Sequence, residues 1–472
     1  MLESIVTKLK NFRDQLYHFF HQRSDASFEL IDALSSNLIA TSVVELSLNP
    51  VHRRNYCSIT RAVEAFYPKG KCKKAINRVL EDLFTEQCEI PVQRGHHLIA
   101  VDCTPNARVH SPTQEDRGFV HAPSHISGNK PITIGHQYSI AVYLPEKPSG
   151  NSPWILPLSC QRVRSDEKGT LVGMQQITRC IKEKAAFKEH LCVVVADAAY
   201  STPECLAETG NNKDQIQISR LRSNRVVYHQ AKCTDEVKLG KKKRYGEAFK
   251  LNDNTTWSEA DESTSFNTTT RRGKIQTIEI KCWNNLLIPG TRDANVSDIP
   301  FRLIQISAHK ADGKPCFKKP LWLLVAGQRK SELILQQIFD DYRQRFDIEH
   351  FFRFAKNRLL MDKFQTPDLQ HEEAWWQFVM MAYAQLYIAK DIAQNMPMPW
   401  EKYLPSFKSG NTSPTQVQKD FSRIIRLFGT PANPPKPRNK APGRKLGDKQ
   451  TPRVRHPVIQ KRNKGFDMPK TG

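Results

Sequence analysis

The 472-residue sequence holds eleven cysteines between Cys57 and Cys316, yet no Cys-x2-Cys pair. An odd count without paired spacing excludes a disulfide framework and a zinc ribbon. The thiols read as buried groups of a reducing cytosol. Long apolar runs are also missing. The strongest, LCVVVA (191–196) and LWLLVA (321–326), fall far short of the ~20 residues that span a bilayer. The N-terminus, MLESIVTKLKNFRDQLYHFF, mixes charge into its apolar positions at helical spacing, so it does not read as a signal peptide. A soluble, intracellular protein with no membrane role is expected. No internal repeat is visible.

Acidic residues are the scarcer charge. The 48 Asp and Glu stand against 71 Lys and Arg, a formal net charge of +23 with a pI near 9.5. That surplus exceeds what solubility requires. It points to a polyanionic partner, most commonly nucleic acid. The length is too great for one compact core and suggests about two to four domains.

Residues 1–92 read as helices, with apolar residues three and four apart in FELIDALSSNLIATSVVELSL (28–48) and KKAINRVLEDLF (73–84). Ser58 is a candidate N-cap between them. Arg53, Arg54, Arg61, Lys69, Lys71, Lys73 and Lys74 cluster here. The segment reads either as a helical DNA-binding domain or as a helical cap on the domain after it. From His97 the period changes. HLIAVD (97–102), GHQYSIAVYLP (135–145) and WILPLSCQRV (154–163) read as strands, followed by a helix over 172–187, the buried strand LCVVVAD (191–197) and a short helix over 202–208. This order predicts a mixed α/β sheet with an antiparallel start.

Residues 226–319 are polar, with alternating segments such as KIQTIEIKCW (274–283), and read as a β-rich insertion. LWLLVA then returns to a buried strand. It leads into one helix, SELILQQIFDDYRQRFDIEHFFRFAK, and a second near 371–393. The expected domains are 1–92, 93–225, 226–319 and 320–395, the second and fourth forming one α/β unit, with a C-terminal region over 396–472. Within that region residues 431–472 carry twelve Lys or Arg against two Asp and hardly any aliphatic side chain. Such a segment cannot sustain a core and is expected to be disordered.

The chemistry concentrates near residue 350. Tyr342, Arg345, Glu349 and Lys356 follow one another at offsets 3, 7 and 14. On a helix these four fall within roughly a 60° arc. The stripe offers a phenol, two cations and a carboxylate, suited to holding a metal ion and a phosphodiester together. Two aspartates upstream end buried strands: Asp102 in HLIAVD and Asp197 in LCVVVAD. Open α/β sheets place ligands at the carboxyl ends of strands. Three converging carboxylates repel unless cations neutralise them. Magnesium, a hard cation taking oxygen ligands, suits them, with Mn2+ a possible substitute. Two ions about 3.5–4 Å apart can activate a water or a 3′-hydroxyl and stabilise a leaving oxygen. Singly, each acid also has a bland reading: a turn former for the aspartates, a surface ion pair for Arg345 and Glu349.

These residues resemble a family. The Tyr342-x2-Arg345-x3-Glu349-x6-Lys356 signature, the DCT motif at Asp102 and DAAYST at Asp197, with Tyr200 three residues on, are similar to DDE transposases of bacterial insertion sequences. The insertion between Asp197 and Glu349 fits that branch, and the resemblance spans roughly residues 90–395. It implies an RNase H-like mixed sheet with flanking helices, interrupted by the β-rich insertion. It also implies a divalent metal and movement of a DNA element. Asp102, Asp197 and Glu349 are then the expected catalytic metal ligands, and Tyr342, Arg345 and Lys356 the phosphate-holding residues. Some relatives excise through a DNA hairpin, stacking a flipped base on a Trp before the Glu helix. Trp322 takes that position here, with a core role as the competing reading.

Arg220, Arg222 and Arg225 follow a strand and could track phosphates, as could KLGKKKRYG (238–246) and, more weakly, Arg271, Arg272 and Lys274. His96, His97 and His136 read as core or surface histidines. The basic tail either runs along DNA flanks or merely solvates. The partners expected are the terminal inverted repeats of the element, target DNA and a second copy of the chain, in a bacterial, nucleoid-associated setting. Two other readings remain: a transposase-derived DNA-binding protein without chemistry, and an RNase H-like metal-dependent nuclease.

Overall fold

The computed structural model describes residues 2–122, 131–147, 152–231, 244–270, 273–394, 412–437, 445–449 and 451–460. Five helices come first: α1 (Leu2–Phe19), α2 (Ser24–Ser35), α3 (Val43–Leu46), α4 (Tyr56–Ala65) and α5 (Lys73–Thr85). Asn55, not Ser58, precedes α4; Ser58 lies inside it and donates its hydroxyl to the Asn55 carbonyl, 2.6 Å away. Strands β1 (His97–Ala107), β2 (Gly118–His121), β3 (Ile132–Tyr143) and β4 (Leu156–Val163) follow. Next come α6 (Gly169–Glu183), β5 (Cys192–Ala196), α7 (Pro203–Gly210) and β6 (Gln215–Leu221).

β1, β3 and β4 are antiparallel neighbours, whereas β1, β5 and β6 run parallel. Every residue of β5 is buried, as a parallel strand covered on both faces requires. The expected mixed sheet with an antiparallel start is therefore present.

The β-rich stretch contributes β7 (Val226–Gln230), β8 (Tyr245–Lys250), β9 (Glu262–Thr269), β10 (Ile275–Leu286) and β11 (Phe301–Lys310), before β12 (Leu321–Ala326). Only β7 and β8 form a sheet of their own. β12 pairs antiparallel with β6, and β11, β10 and β9 continue outward, giving one ten-stranded sheet. The insertion thus extends the central sheet. The reason is apolar: Leu221, Phe249, Trp283, Leu303, Trp322 and Leu324 share one buried cluster on that wing.

The expected single helix after β12 is two, α8 (Leu335–Gln344) and α9 (Phe346–Arg358). Around Arg345 the hydrogen bonds tighten: Arg345 N donates to Tyr342 O, and Ile348 N to Arg345 O. Next is α10 (Leu369–Gln394), almost wholly apolar and buried on all sides from Ala374 to Ala389. α11 (Pro414–Phe428) packs beside it.

α10 lies between β4 and the N-terminal helices α1, α2 and α4, and one apolar core runs through all of them. Arg13 clamps Asp32 through two hydrogen bonds of 2.6 and 3.0 Å and donates a third, of 2.9 Å, to Gln385 of α10. The core of this segment is thus shared with α10. Several of its cations are committed inside the molecule: Arg53 and Arg54 to Glu29, and Lys73 to Glu373. Arg61, Lys69, Lys71 and Lys74 are exposed.

The tail also departs from expectation. Asn433 N donates to Asp25, and Arg53 and Arg54 donate to the Ala432 and Asn433 carbonyls. Further on, His456 N and Ile459 N donate to the Pro112 and Arg117 carbonyls, both at 2.8 Å, and Ile459 bridges Gly118 in parallel. Backbone hydrogen bonding holds these stretches where side-chain composition promised no core. Among the described residues, no helix is long and apolar enough to cross a membrane.

Candidate active site

The register of β1 on β5 runs from His97 opposite Cys192 to Ala100 opposite Val195. That ladder stops two residues short of both Asp102 and Asp197: β1 carries Asp102 onward, and Asp197 opens the turn that follows β5. Buried β-branched residues place both acids: Val101 precedes Asp102, and Val193–Val195 lead to Asp197. Asp102 Oδ1 accepts from the Cys103 amide at 2.8 Å. Asp197 Oδ1 accepts from the Ala199 amide at 2.9 Å, so this acid also serves as the turn former. The turn is secured from behind. Ser201 donates to the Arg220 carbonyl, and Tyr200, buried, sets its hydroxyl 3.5 Å from Cys103 Sγ.

Burial and the charge of Asp197 push the Asp102 carboxyl up to about 7. The Cys103 amide and Arg345 oppose this, and Glu349 adds to it. The fields of both other acids thus meet at Asp102. Glu349 itself is half-exposed on α9 and accepts from Arg345 Nη2 at 2.8 Å. Arg345 is buried, and its guanidinium carbon lies 5.7 Å from the Tyr342 ring centroid and 5.0 Å from that of Phe346. Burial raises the Tyr342 phenol, while Arg345 and Arg220 pull it down.

Lys356 Nζ donates to Thr104 Oγ1 at 2.7 Å, two residues beyond Asp102 and hence on the same face of β1. Burial lowers the Lys356 ammonium, whereas Asp362 and Asp102 raise it. Asp102 thus feels the charges of Asp197, Arg345 and Glu349, and Lys356 reaches its strand through Thr104. Thr104 was missed by sequence reasoning; its place two residues after Asp102 on a strand was the available signal.

Arg220, exposed near the end of β6, has its charge acting on Tyr342. Arg222 and Arg225 are exposed on the turn that follows, and none of the three is ion-paired among the described residues. Lys274 is exposed as well. Arg271, Arg272 and the lysines of 238–243 lie outside the described residues.

Trp322 is a correction. It is 1 % exposed, with Trp257 and Trp283 ring centroids at 5.3 and 5.8 Å. It belongs to the apolar wing and is not open to a base. His96 and His136 are buried against Asp341 and Glu372 at 2.8 and 2.9 Å, and His97 is buried too, as core histidines.

The donor chemistry fits a hard divalent ion: all oxygen, and Asp102 destabilised as an anion by burial and by Asp197. The arrangement is not closed, however. Among the described residues, no three His, Cys, Asp or Glu side chains are grouped to hold a metal.

Asp102 does not end its strand as expected, since pairing with β3 carries β1 on to Ala107; only Asp197 follows a strand end. Carboxylates on neighbouring strands beside a cation-bearing helix are the equipment of a phosphodiester-cutting enzyme. The sequence matches the family model of the DDE superfamily endonucleases over residues 15–282, more than half of its length, and the chain belongs to that family. The matched span holds Asp102 and Asp197 and ends before Glu349. Members of this superfamily generally depend on a divalent metal. Among solved structures, the chain is similar to a piggyBac transposase in a synaptic complex with hairpin DNA, at 12 % identity. That alignment covers 89 % of this chain and 73 % of the other, with a TM-score of 0.40. No curated protein matches the sequence.

Proposed function

We propose that this endonuclease is a transposase of the Tyr-x2-Arg-x3-Glu-x6-Lys branch found in bacterial insertion sequences. It binds the terminal inverted repeats of an element, cuts there and joins the 3′ ends to target DNA. The observation that carries this reading is the parallel β1–β5 ladder that ends two residues before both aspartates, with the charges of Asp197, Arg345 and Glu349 all felt at Asp102. The order β4–β3–β1–β5–β6, three antiparallel strands then parallel ones, supports an RNase H-like core.

In this reading Asp102, Asp197 and Glu349 would hold the divalent ions, Mg2+ with Mn2+ as a substitute. When bound, the ions supply Lewis acidity and a nucleophile at neutral pH. The chain's own groups do the rest. Arg345 grips a phosphate through its planar fork, and Lys356, fixed by Thr104, presents a point charge. Tyr342 holds the Arg345 plane against its ring. Arg220, Arg222 and Arg225 extend the cationic track away from the carboxylates. Two ends must be held together, so a dimer or higher oligomer on DNA is part of the proposal.

The test uses a DNA fragment carrying the element's ends, with Mg2+. Asp102→Asn, Asp197→Asn and Glu349→Gln should each abolish nicking yet still shift the fragment in a gel. Wild-type cutting by any one of them would remove that residue from the ligand set. Cutting without regard to the ends and without joining would indicate a plain nuclease; binding without nicking by the wild type would indicate a protein that has lost its chemistry.

A further inference from the structure

Arg345 has two claims on it. Its Nη2 donates to Glu349 Oε1 at 2.8 Å, and its side chain is only 9 % exposed against 46 % for that of Glu349. Its Nε is buried and has no hydrogen-bond partner among the described residues. A guanidinium gains most from a bidentate oxyanion, so the observed single contact leaves the fork unfilled. Tyr342 and Phe346 flank its plane, and the tightened turn at Arg345 separates α8 from α9. The ring contacts define a seat for the guanidinium, and the oxyanion filling it is the variable part.

Meanwhile the acids are not gathered: no three such side chains are grouped to hold an ion among the described residues. A cation on Glu349 provides one reason. It neutralises the carboxylate, and its charge also stands against an arriving metal ion.

We propose that Arg345 is a latch on Glu349, held closed in the absence of DNA and opened when a phosphodiester takes over its guanidinium. This rests on the reading of Asp102, Asp197 and Glu349 as a metal site. Freed from Arg345, Glu349 is available to complete the carboxylate set. The phosphate also screens the Arg345 charge from the ion. DNA and metal then favour each other's binding, and the coupling is reciprocal by linkage. An enzyme built in this way does not assemble its cutting site until a strand lies across it. Arg345 is here a positioning residue whose partner changes.

The experiment is calorimetric titration of the full chain with Mn2+, with and without a short duplex of arbitrary sequence. In the wild type the duplex should tighten Mn2+ binding by about tenfold, a coupling of about 1.4 kcal/mol. No tightening overturns the latch without recourse to any variant. Arg345→Gln and Arg345→Met, each checked for a cooperative melt, should bind Mn2+ about tenfold more tightly without DNA, and the duplex should add little. A residue that merely orients Glu349 gives the opposite result: weaker Mn2+ binding in both variants. That result, or an unchanged affinity, refutes the proposal. Asp102→Asn separates the two levels. If it abolishes Mn2+ binding while Arg345→Gln weakens it, only the latch fails. If Asp102→Asn leaves Mn2+ binding intact, the metal-site reading fails and the latch with it.

Discussion

Arg108 Nε donates to Glu372 Oε2 at 2.6 Å, with side chains 1 % and 0 % exposed, joining residues 264 positions apart. Gln114, His136 and Tyr138 complete the carboxylate's partners at 2.7, 2.9 and 2.9 Å. Together they fasten the first turn of α10 to β3 and to the loop that leaves β1. Burial alone would raise the Glu372 carboxyl; the His136 hydrogen bond and the Arg108 charge overcome it and hold the group well below the usual range.

Glu372→Gln should therefore cost about 3–5 kcal/mol at pH 7, because Arg108 stays buried without its counter-charge. The sign of the pH dependence follows from a depressed carboxyl. The stabilisation is fully present above the unfolded value, about 4.3 for glutamate, and is lost as pH falls below it toward the folded value. Urea midpoints measured from pH 7 to pH 3 should show the gap between wild type and variant narrowing below about 4.3. A constant gap would count against the assignment.

Asp102 behaves in the opposite sense. With its folded value pushed up to about 7, ionisation weakens the metal-free fold. The cost is absent below the unfolded aspartate value, about 3.9, grows as pH rises and is complete above about 7. In EDTA at pH 8, Asp102→Asn should be the more stable chain, by on the order of 2 kcal/mol. Near pH 4 the two should melt alike. A variant that melts lower than wild type at pH 8 would contradict the cost of burying the Asp102 charge beside Asp197.

Trp322 separates core from base stacking. Trp322→Ala should cost about 3–5 kcal/mol through the cavity it leaves among Phe249, Trp257 and Trp283. Trp322→Phe should cost less and leave strand cleavage near wild type. A folded Trp322→Phe chain that nicks DNA but fails to complete excision would reinstate the stacking role.

Removing residues 451–472 tests the tail. Arg117, 4 % exposed, donates to the carbonyls of Gln114, Arg108 and His456, and the last of these leaves with the segment. A loss on the order of 1–3 kcal/mol follows from that orphaned donor and two vanished backbone hydrogen bonds. The slope of log affinity for DNA against log salt should also flatten, by about 0.9 for each phosphate that the segment neutralises in the intact chain. An unchanged slope would remove the segment from the DNA interface and leave it a structural strap.

Much of the central sheet was legible because burial writes itself into strands. HLIAVD and LCVVVAD are apolar up to their aspartates, which located the start of β1, all of β5 and the two acids, but not the run of β1 on to Ala107, which pairing with β3 decides. Periodicity also located α5 and α10. It could not reveal the break at Arg345, because a tightened turn leaves helical spacing almost untouched. It could not join β11 and β12 to β6 either, since strand pairing is a relation between distant segments. The tail misled for a related reason: composition reports on side chains, and Ile459 is held by its backbone.

The identities and spacing of Asp102, Asp197, Tyr342, Arg345, Glu349 and Lys356 are properties of the chain alone, since local propensity and periodicity act over a few residues. Tertiary structure decided their company. It turned the Trp322 ring into a wall of aromatic packing, tied Lys356 to Thr104, and left Glu349 with Arg345. Those outcomes depend on which surfaces are buried together, and burial is settled only when segments hundreds of residues apart compete for the same core.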